Sequence, residues 1–340
     1  MNTKTQQVTV SNKRTVSVID NQGGADAHAK RSVNDAARLI SSKDPAKVEQ
    51  AFKILSEDCK KDTQHSKSFH YRGQCYNLMG DFQRALYDFA AAIRIGKDKD
   101  DEPSTMALHY NSAGVQLYEL GQLEDALLHY EMATGLDREN GCAWYNMGLC
   151  KSRLGRIKEA IADYDEAVKQ LAAQSASDPD YVYQARFNKG ICYRRLGHEH
   201  IQASIDDLKK AVEMKADSAS AHNNLGLSFF EQGNFDEALL SYGHAIRLEP
   251  TAFHHNNKGL AHYHRGDLEE AKKDFDAALV KEADATIYFN RGNVYLNWKV
   301  KDDKEDGYLP APDFESAQYD YDCALQVLDR ALIKSDLSKL

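Results

Sequence analysis

Small, aromatic and polar positions alternate along most of the chain at spacings of three and four residues, the period of one face of an α-helix. The clearest pattern is Ala, then an aromatic residue four positions later, then Ala three positions after that. It occurs at Ala85-Phe89-Ala92, Ala126-Tyr130-Ala133, Ala160-Tyr164-Ala167, Ala238-Tyr242-Ala245 and Ala271-Phe275-Ala278. Looser copies are Ser204-Leu208-Ala211 and Ala317-Tyr321-Ala324. The triplet predicts closely packed helices, because Ala admits a neighbouring backbone and the ring fills the gap.

Two series of glycines divide the chain into units of two helices. The first series precedes the triplets, at Gly73, Gly114, Gly148, Gly190, Gly226, Gly259 and Gly292. The second lies between the two helical stretches, at Gly80, Gly121, Gly155, Gly197, Gly233 and Gly266. Glycine at this place suits a helix that ends in a left-handed residue. Each unit is therefore predicted to be a helix, a tight turn and a second helix.

A basic period of about 34 residues with this pattern resembles the tetratricopeptide repeat. The fifth unit carries the pattern most fully, with Gly226, Phe229, Ala238, Tyr242 and Pro250 in order. The resemblance covers seven units between residues 68 and 329. It implies an all-α fold, a right-handed superhelix (α-solenoid) of helix-turn-helix repeats. The first three units lack the terminal Pro and the seventh lacks the turn Gly.

The segments outside the regular units have their own predictions. Residues 33–62 are predicted to form two helices, broken near Lys43-Asp44-Pro45, that act as an N-terminal cap. Residues 1–32 are polar and are predicted to be a flexible tail, with a strand donated to a partner as the alternative. The insertion at 299–316 is predicted to be a charged exposed loop. Residues 330–340 either continue the last helix or follow it as a tail.

The resemblance also implies where ligands bind. If the recurrent Gly is position 8, positions 2, 5, 6 and 9 cluster on one side of each first helix, the side that lines the ligand groove in this family. The predicted partner-binding residues are Asn146, Asn188, Asn224, Asn257, Asn290, Tyr145, Phe187, Phe253 and Phe289. The five Asn all occupy position 6 and could pair with the backbone of an extended peptide. Alternatively they reflect the repeat consensus alone. Asn224, Asn257 and Asn290 are expected to be partly exposed.

Charge, hydropathy and the residues at the repeat positions argue against several classes of function. The net charge of −9 argues against nucleic-acid binding, and no apolar run reaches the ~18 residues of a membrane span. The first residues lack the apolar segment of a secretory signal, so a cytoplasmic location is expected. No unit has Lys at position 5 or Arg at position 6, so the carboxylate clamp that binds chaperone C-termini in this family is expected to be absent.

Neither catalytic, cofactor-binding nor metal-binding residues are predicted. His198 and His200, like His254 and His255, are too close in sequence to face one ion from a single helix. A calcium-loop pattern at residues 302–313 is spoiled by Lys304 and Pro310. Motifs for nucleotides, zinc proteases and hydrolases are missing. The chain is therefore not expected to be an enzyme.

The resulting prediction is a non-enzymatic scaffold that binds partner polypeptides through the repeat array. The alternative is a permanent structural subunit of a large assembly in the cytoskeleton or in a cilium or axoneme. The two differ in the face used, since a scaffold binds through the groove and a structural subunit binds through its outer face, edges, tail or inserted loop. The sequence does not name the partner.

Overall fold

Helices form nearly all of the computed structural model, which describes residues 24–61, 65–173, 179–302 and 307–337. The chain divides into two compact units, Met1–Cys192 and Tyr193–Leu340. The first unit contains α1 (Gly24–Ser41), α2 (Pro45–Lys61), α3 (Ser66–Leu78), α4 (Phe82–Asp98), α5 (Pro103–Glu119), α6 (Leu123–Leu136), α7 (Gly141–Arg153), α8 (Ile157–Ala173) and most of α9 (Pro179–Leu196). The second contains α10 (Ile201–Met214), α11 (Ala219–Gln232), α12 (Phe235–Leu248), α13 (Ala252–Arg265), α14 (Leu268–Lys281), α15 (Ala285–Leu296), β1 (Lys299–Asp302), β2 (Gly307–Pro310) and α16 (Phe314–Leu337).

From α3 onward the described helices are numbered in consecutive pairs as repeats 1 to 7, from α3–α4 to α15–α16. The predicted packing of the triplet is confirmed, as in repeat 5, where Ala238, Tyr242 and Ala245 are all buried. The Tyr242 ring lies against Gly226 of the first helix, where an added methyl group would come within 2.6 Å of the ring. Glycine is required at this position because the aromatic ring occupies the space of a side chain.

The predicted left-handed turn between the two helices of a repeat is also confirmed. Gly233 follows α11 with φ of 83°, and Gly266 follows α13 with φ of 96°. At Gly266 the backbone N–H donates to the carbonyl oxygen of His262 and so satisfies one of the last carbonyls of the helix. A side chain at these φ values would be strained, which explains why glycine recurs at this place.

Buried ion pairs join the two helices within several repeats, and the sequence reading missed them. Each pairs a basic residue of the first helix with a buried Asp that directly precedes the aromatic residue of the triplet in the second helix. The pairs are Arg72–Asp88 at 2.7 Å, Lys151–Asp163 at 2.8 Å, Lys258–Asp274 at 3.1 Å and Arg291–Asp320 at 2.6 Å. Removing the basic partner would leave a buried carboxylate without its ion pair, at a cost of up to about 3–5 kcal/mol.

The first N-terminal helix begins earlier than predicted, whereas the second begins at the predicted break. Helix α1 starts at Gly24, so the prediction of a flexible tail is wrong for residues 24–32, and the remaining tail residues lie outside the described part. The Ala-rich run GADAHAK favours helix, which accounts for the difference. Helices α1 and α2 pack through Val33, Ala36 and Leu55 against Cys75 of α3. Asp44 begins α2 by accepting a hydrogen bond from the backbone N–H of Ala46 at 2.9 Å.

The insertion in repeat 7 contains a β-hairpin where a loop was predicted. Strands β1 and β2 are antiparallel, with Lys299 opposite Pro310 and Val300 opposite Leu309. Val, Tyr and Leu in these segments favour extended pairing, a signal that the charged residues around them hid. Helix α16 then starts at Phe314 and runs to Leu337, so the last residues that the structure describes continue the helix instead of forming a tail.

Candidate functional site

The predicted binding residues lie on one side of each first helix, called here the ladder face and defined as positions 2, 5, 6 and 9. In repeats 6 and 7 this face is presented by α13 and α15, whose starts are fixed by caps. The Thr251 hydroxyl accepts from the backbone N–H of His254 at 3.2 Å. The Asp284 carboxylate accepts from the N–H of Thr286 at 2.8 Å. Each cap satisfies otherwise unpaired donors and sets the register of the helix that follows.

The Asn side chains at position 6 bond to the preceding repeat. Asn146 donates to the side-chain oxygen of Asn111 at 2.9 Å. Asn257 donates to Asn223, and Asn290 to Asn256, each at 2.9 Å. In all three cases the acceptor is position 5 of the repeat before. Three of the five Asn predicted to form a ladder thus make hydrogen bonds that join neighbouring first helices.

The remaining two Asn show how this rule depends on position 5. Asn188 donates to the hydroxyl oxygen of Tyr145 at 3.2 Å, since that repeat has Tyr at position 5. Asn224 follows a repeat with Phe187 at position 5, which has no side-chain oxygen. Its amide donates instead to the carbonyl of Ser220 in its own helix at 2.9 Å. Asn224 thus lacks the cross-repeat role of the other four.

In repeats 2 and 3 positions 5, 6 and 9 of the ladder face are buried. Asn146 is only 1% exposed. The other buried members at positions 5, 6 and 9 are Asn111, Ser112, Val115, Tyr145 and Leu149. Burial also raises the pKa of the Tyr145 hydroxyl above its ordinary value. The expectation that Asn224, Asn257 and Asn290 are partly exposed is wrong for Asn257, which is buried in repeat 6.

In repeats 6 and 7 most of the ladder face is accessible. Phe253 at position 2 is 57% exposed and Phe289 at position 5 is 53% exposed. The half-buried Asn256–Asn290 pair contributes amides from the same two helices. An amide has two donor hydrogens and an oxygen with two lone pairs, and the Asn256–Asn290 bond uses only one of each. The pair therefore keeps hydrogen-bonding capacity for a ligand.

The remaining aromatic residue that was predicted to bind a partner has an intermediate exposure. Phe187 in repeat 4 is half-buried and stacks on Tyr183, with ring centroids 5.9 Å apart and an interplanar angle of 19°. Part of the Phe187 ring is thus covered by Tyr183 within the first unit. Of the aromatic residues predicted to bind a partner, Phe253 and Phe289 alone are exposed.

The ladder face carries no charge in repeats 2 to 7, although charged residues make up 28% of the chain. Positions 2, 5, 6 and 9 of the last two repeats are Phe253, Asn256, Asn257, Leu260, Thr286, Phe289, Asn290 and Asn293. Sequence reasoning singled out five Asn and four aromatic residues here, yet missed the exclusion of charge. The signal is present in the sequence once the positions are aligned. A face of amides and apolar groups suits an uncharged ligand better than an ionic one.

Two buried histidines occupy the junction of repeats 1 and 2. His70 and His109 are joined by a hydrogen bond of 3.1 Å between their Nδ1 atoms, and neither is exposed. Burial lowers the pKa of both imidazoles, and nearby Lys67 lowers them further. Asp101, whose Oδ2 is 3.8 Å from His109 Nε2, opposes the shift at His109. The two rings are therefore held neutral as a packed structural pair.

Within the described residues, the side chains of His, Cys, Asp and Glu do not form a group of three or more that could hold a metal ion. In the same residues, every helix is either too short or too polar to cross a membrane.

Comparison with known proteins identifies the repeat. The family model described as "Tetratricopeptide repeat" matches residues 111–179, 193–252 and 225–286. These matched residues belong to the tetratricopeptide repeat family. The predicted all-α solenoid of helix-turn-helix repeats is confirmed. The structure of this chain is similar to that of a tetratricopeptide repeat protein from Parabacteroides merdae, with a TM-score of 0.56 and 19% identity. The match covers 78% of this chain and 91% of that one.

Two curated relatives carry the same repeats. Mouse tetratricopeptide repeat protein 16 is 26% identical over 194 residues, which is 54% of this chain and 24% of the relative. Human tetratricopeptide repeat protein 6 is 23% identical over 211 residues, which is 53% of this chain and 38% of the relative. The chain thus spans well under half the length of either. Tetratricopeptide repeat proteins act in protein–protein interactions.

Proposed function

We propose that this chain is a non-enzymatic scaffold that binds an extended segment of a partner polypeptide on the ladder face of repeats 6 and 7. One observation carries the proposal: Phe253 and Phe289 are more than half exposed on neighbouring first helices that also present the Asn256–Asn290 pair. Exposed aromatic rings beside amide groups can bury apolar side chains and pair with peptide backbone.

The chemistry of the face defines the class of partner. Without charged side chains at positions 2, 5, 6 and 9, this face offers no counter-ion to an acidic or basic motif. The carboxylate clamp would need Lys and Arg at these positions, so an acidic C-terminus is not the proposed ligand. The proposed ligand is an uncharged, partly apolar extended segment, with its backbone on the amides and its side chains on the two Phe rings.

The test begins with peptides selected from a random-peptide library on the intact protein. Changing Phe253 and Phe289 together to Ala should lower the affinity for a selected peptide by roughly tenfold to a hundredfold. The reason is that burying the exposed half of two Phe rings contributes about 1.5–3 kcal/mol to binding. Changing Leu128 and Leu240 to Ala is the matched control, since both are exposed apolar residues of second helices. Equal losses for both variants would contradict the proposed site.

A second function is favoured by a different surface. The second helices expose large apolar side chains two positions after the first Ala of the triplet, at Tyr87, Leu128, Leu240 and Tyr319. A structural subunit of a cytoskeletal or ciliary assembly would use such residues for permanent contacts. Extraction of the native protein with and without high salt separates the alternatives: a scaffold with transient partners is released readily, whereas a structural subunit stays in the insoluble fraction. A cytoplasmic location is proposed for the scaffold.

A further inference from the structure

Helix α16 exposes a face that is covered in the repeat before it. The second helices of repeats 6 and 7 align through Ala271 and Ala317, which pairs Leu268 with Phe314 and Leu279 with Leu325. In α14, Leu268 and Leu279 pack against a hydrophobic cluster that includes Ile287 and Val294 of the next first helix, α15.

In α16 the equivalent residues are exposed. Phe314 is 68% exposed and Leu325 is 59% exposed, and one turn further Leu328 is 52% exposed. At ~100° per residue these three side chains lie within about 60° of one another. They form one apolar stripe along the helix, defined here as Phe314, Leu325 and Leu328. In the preceding repeat, a helix occupies the corresponding position.

A row of carboxylates runs beside the apolar stripe. Glu315, Asp322 and Asp329 follow one another at intervals of seven residues, and all three are exposed. Asp322 accepts a hydrogen bond from Gln318 at 2.9 Å, which leaves its charge uncompensated. Between Phe314 and Ala331 the one basic residue is Arg330, which points to the opposite side of the helix from the stripe.

We propose that this face of α16 binds an amphipathic helix of another protein, whose aliphatic stripe is flanked by Lys or Arg at seven-residue spacing. The covered face of α14 shows that the shape suits a helix. The acidic row favours a basic partner, because side chains of opposite charge at seven-residue spacing can pair along two packed helices. A second copy of α16 fits less well, since antiparallel pairing would place the two carboxylate rows side by side. This surface is separate from the ladder face.

The experiment uses the full chain as bait for a displayed library of helical peptides. Every peptide has a fixed aliphatic stripe, and its flank positions vary among Lys, Glu and Gln. The proposal predicts enrichment of Lys at the flank, and binding that weakens as salt rises. A bait with Asp322→Lys and Asp329→Lys should reverse the preference to Glu. Absence of enrichment, or enrichment of Glu or Gln on the native bait, would overturn the proposal.

Variants of the stripe locate the binding site. Leu325→Glu combined with Leu328→Glu should weaken the selected Lys peptide by roughly tenfold to a hundredfold, because two buried Leu contacts are lost. Leu240→Glu on α12 is the matched control and should leave binding unchanged. Circular dichroism checks that each variant keeps its helices. Binding that survives the double variant overturns the proposal, as does a dimer of the native chain that the double variant dissolves, because the occupant is then a second copy.

Discussion

The ladder faces of repeats 2–3 and repeats 6–7 have related residues and opposite environments. Both carry Asn at positions 5 and 6 in cross-repeat hydrogen bonds of 2.9 Å. In repeats 2 and 3 the side chains at positions 5, 6 and 9 are all buried, whereas in repeats 6 and 7 only Asn257 among them is buried. The same repeat positions are therefore packed in repeats 2 and 3 but mostly accessible in repeats 6 and 7. Residue type alone thus does not identify a binding site.

The largest effect is expected at the buried end of this comparison. Asn146→Ala should lower the free energy of unfolding by about 1–3 kcal/mol, because Asn111 loses a buried hydrogen-bond donor. Asn290→Ala should cost less than about 1 kcal/mol, since water reaches the half-buried pair. Urea unfolding followed by circular dichroism measures both. Equal losses would remove the distinction between the two faces.

Acidification should destabilise repeats 1 and 2 more than repeat 3, which contains no His. The pKa of His70 and His109 is lowered in the folded state, so the folded chain binds fewer protons than the unfolded chain. Stability from this pair is full above an unfolded pKa of about 6.5 and falls as the pH drops below it.

Hydrogen exchange read separately over residues 66–119 and 141–173 tests this pH effect, because the second range contains no His. Lowering the pH from about 7 to about 5 should weaken protection of the first segment more than that of the second, after correction for intrinsic exchange rates. His109→Gln should flatten the pH dependence of the first segment. A pH dependence that is unchanged in the variant would exclude the histidine pair as its source.

Salt separates the two surfaces proposed to bind partners. A peptide on the uncharged ladder face should keep its affinity within about twofold between low and high salt, because no ion pair is screened. A basic helix on α16 should lose affinity over the same range. Titrations of the two selected peptides against the same protein measure this difference. A strong salt dependence on the ladder face would indicate contacts with charged residues outside it.

The smallest effect is expected at Asn224, whose amide bonds within its own helix. Asn224→Ala should change the free energy of unfolding by no more than about 0.5 kcal/mol, since the better helix propensity of Ala offsets the loss of one partly exposed hydrogen bond. Asn257→Ala is the comparison, because that amide is buried and bonded to Asn223. A similar loss at both positions would show that the cross-repeat bond contributes little.

The sequence was sufficient for the helix-turn-helix repeat because its signals are local. Glycine is needed where an aromatic ring packs against the backbone, as Tyr242 does at Gly226. Glycine is also favoured where a helix ends in a left-handed residue, as at Gly233. The exposure of the Asn residues was not predictable in this way. Asn146 and Asn290 have the same position and the same type of partner, and their different burial depends on how neighbouring helices pack around them. The β-hairpin was missed because a short strand pair in a charged insertion has too few residues for a clear period.

The most direct test of the central claim is hydrogen–deuterium exchange of the full chain with and without a peptide selected on it. The account predicts that the peptide increases protection in α13 (Ala252–Arg265) and α15 (Ala285–Leu296), which carry Phe253 and Phe289. Protection in α5 (Pro103–Glu119) and α7 (Gly141–Arg153) should not change, because positions 5, 6 and 9 of their ladder face are already buried. Protection gained in α5 and α7, with none in α13 and α15, would contradict the assignment of the binding site to repeats 6 and 7.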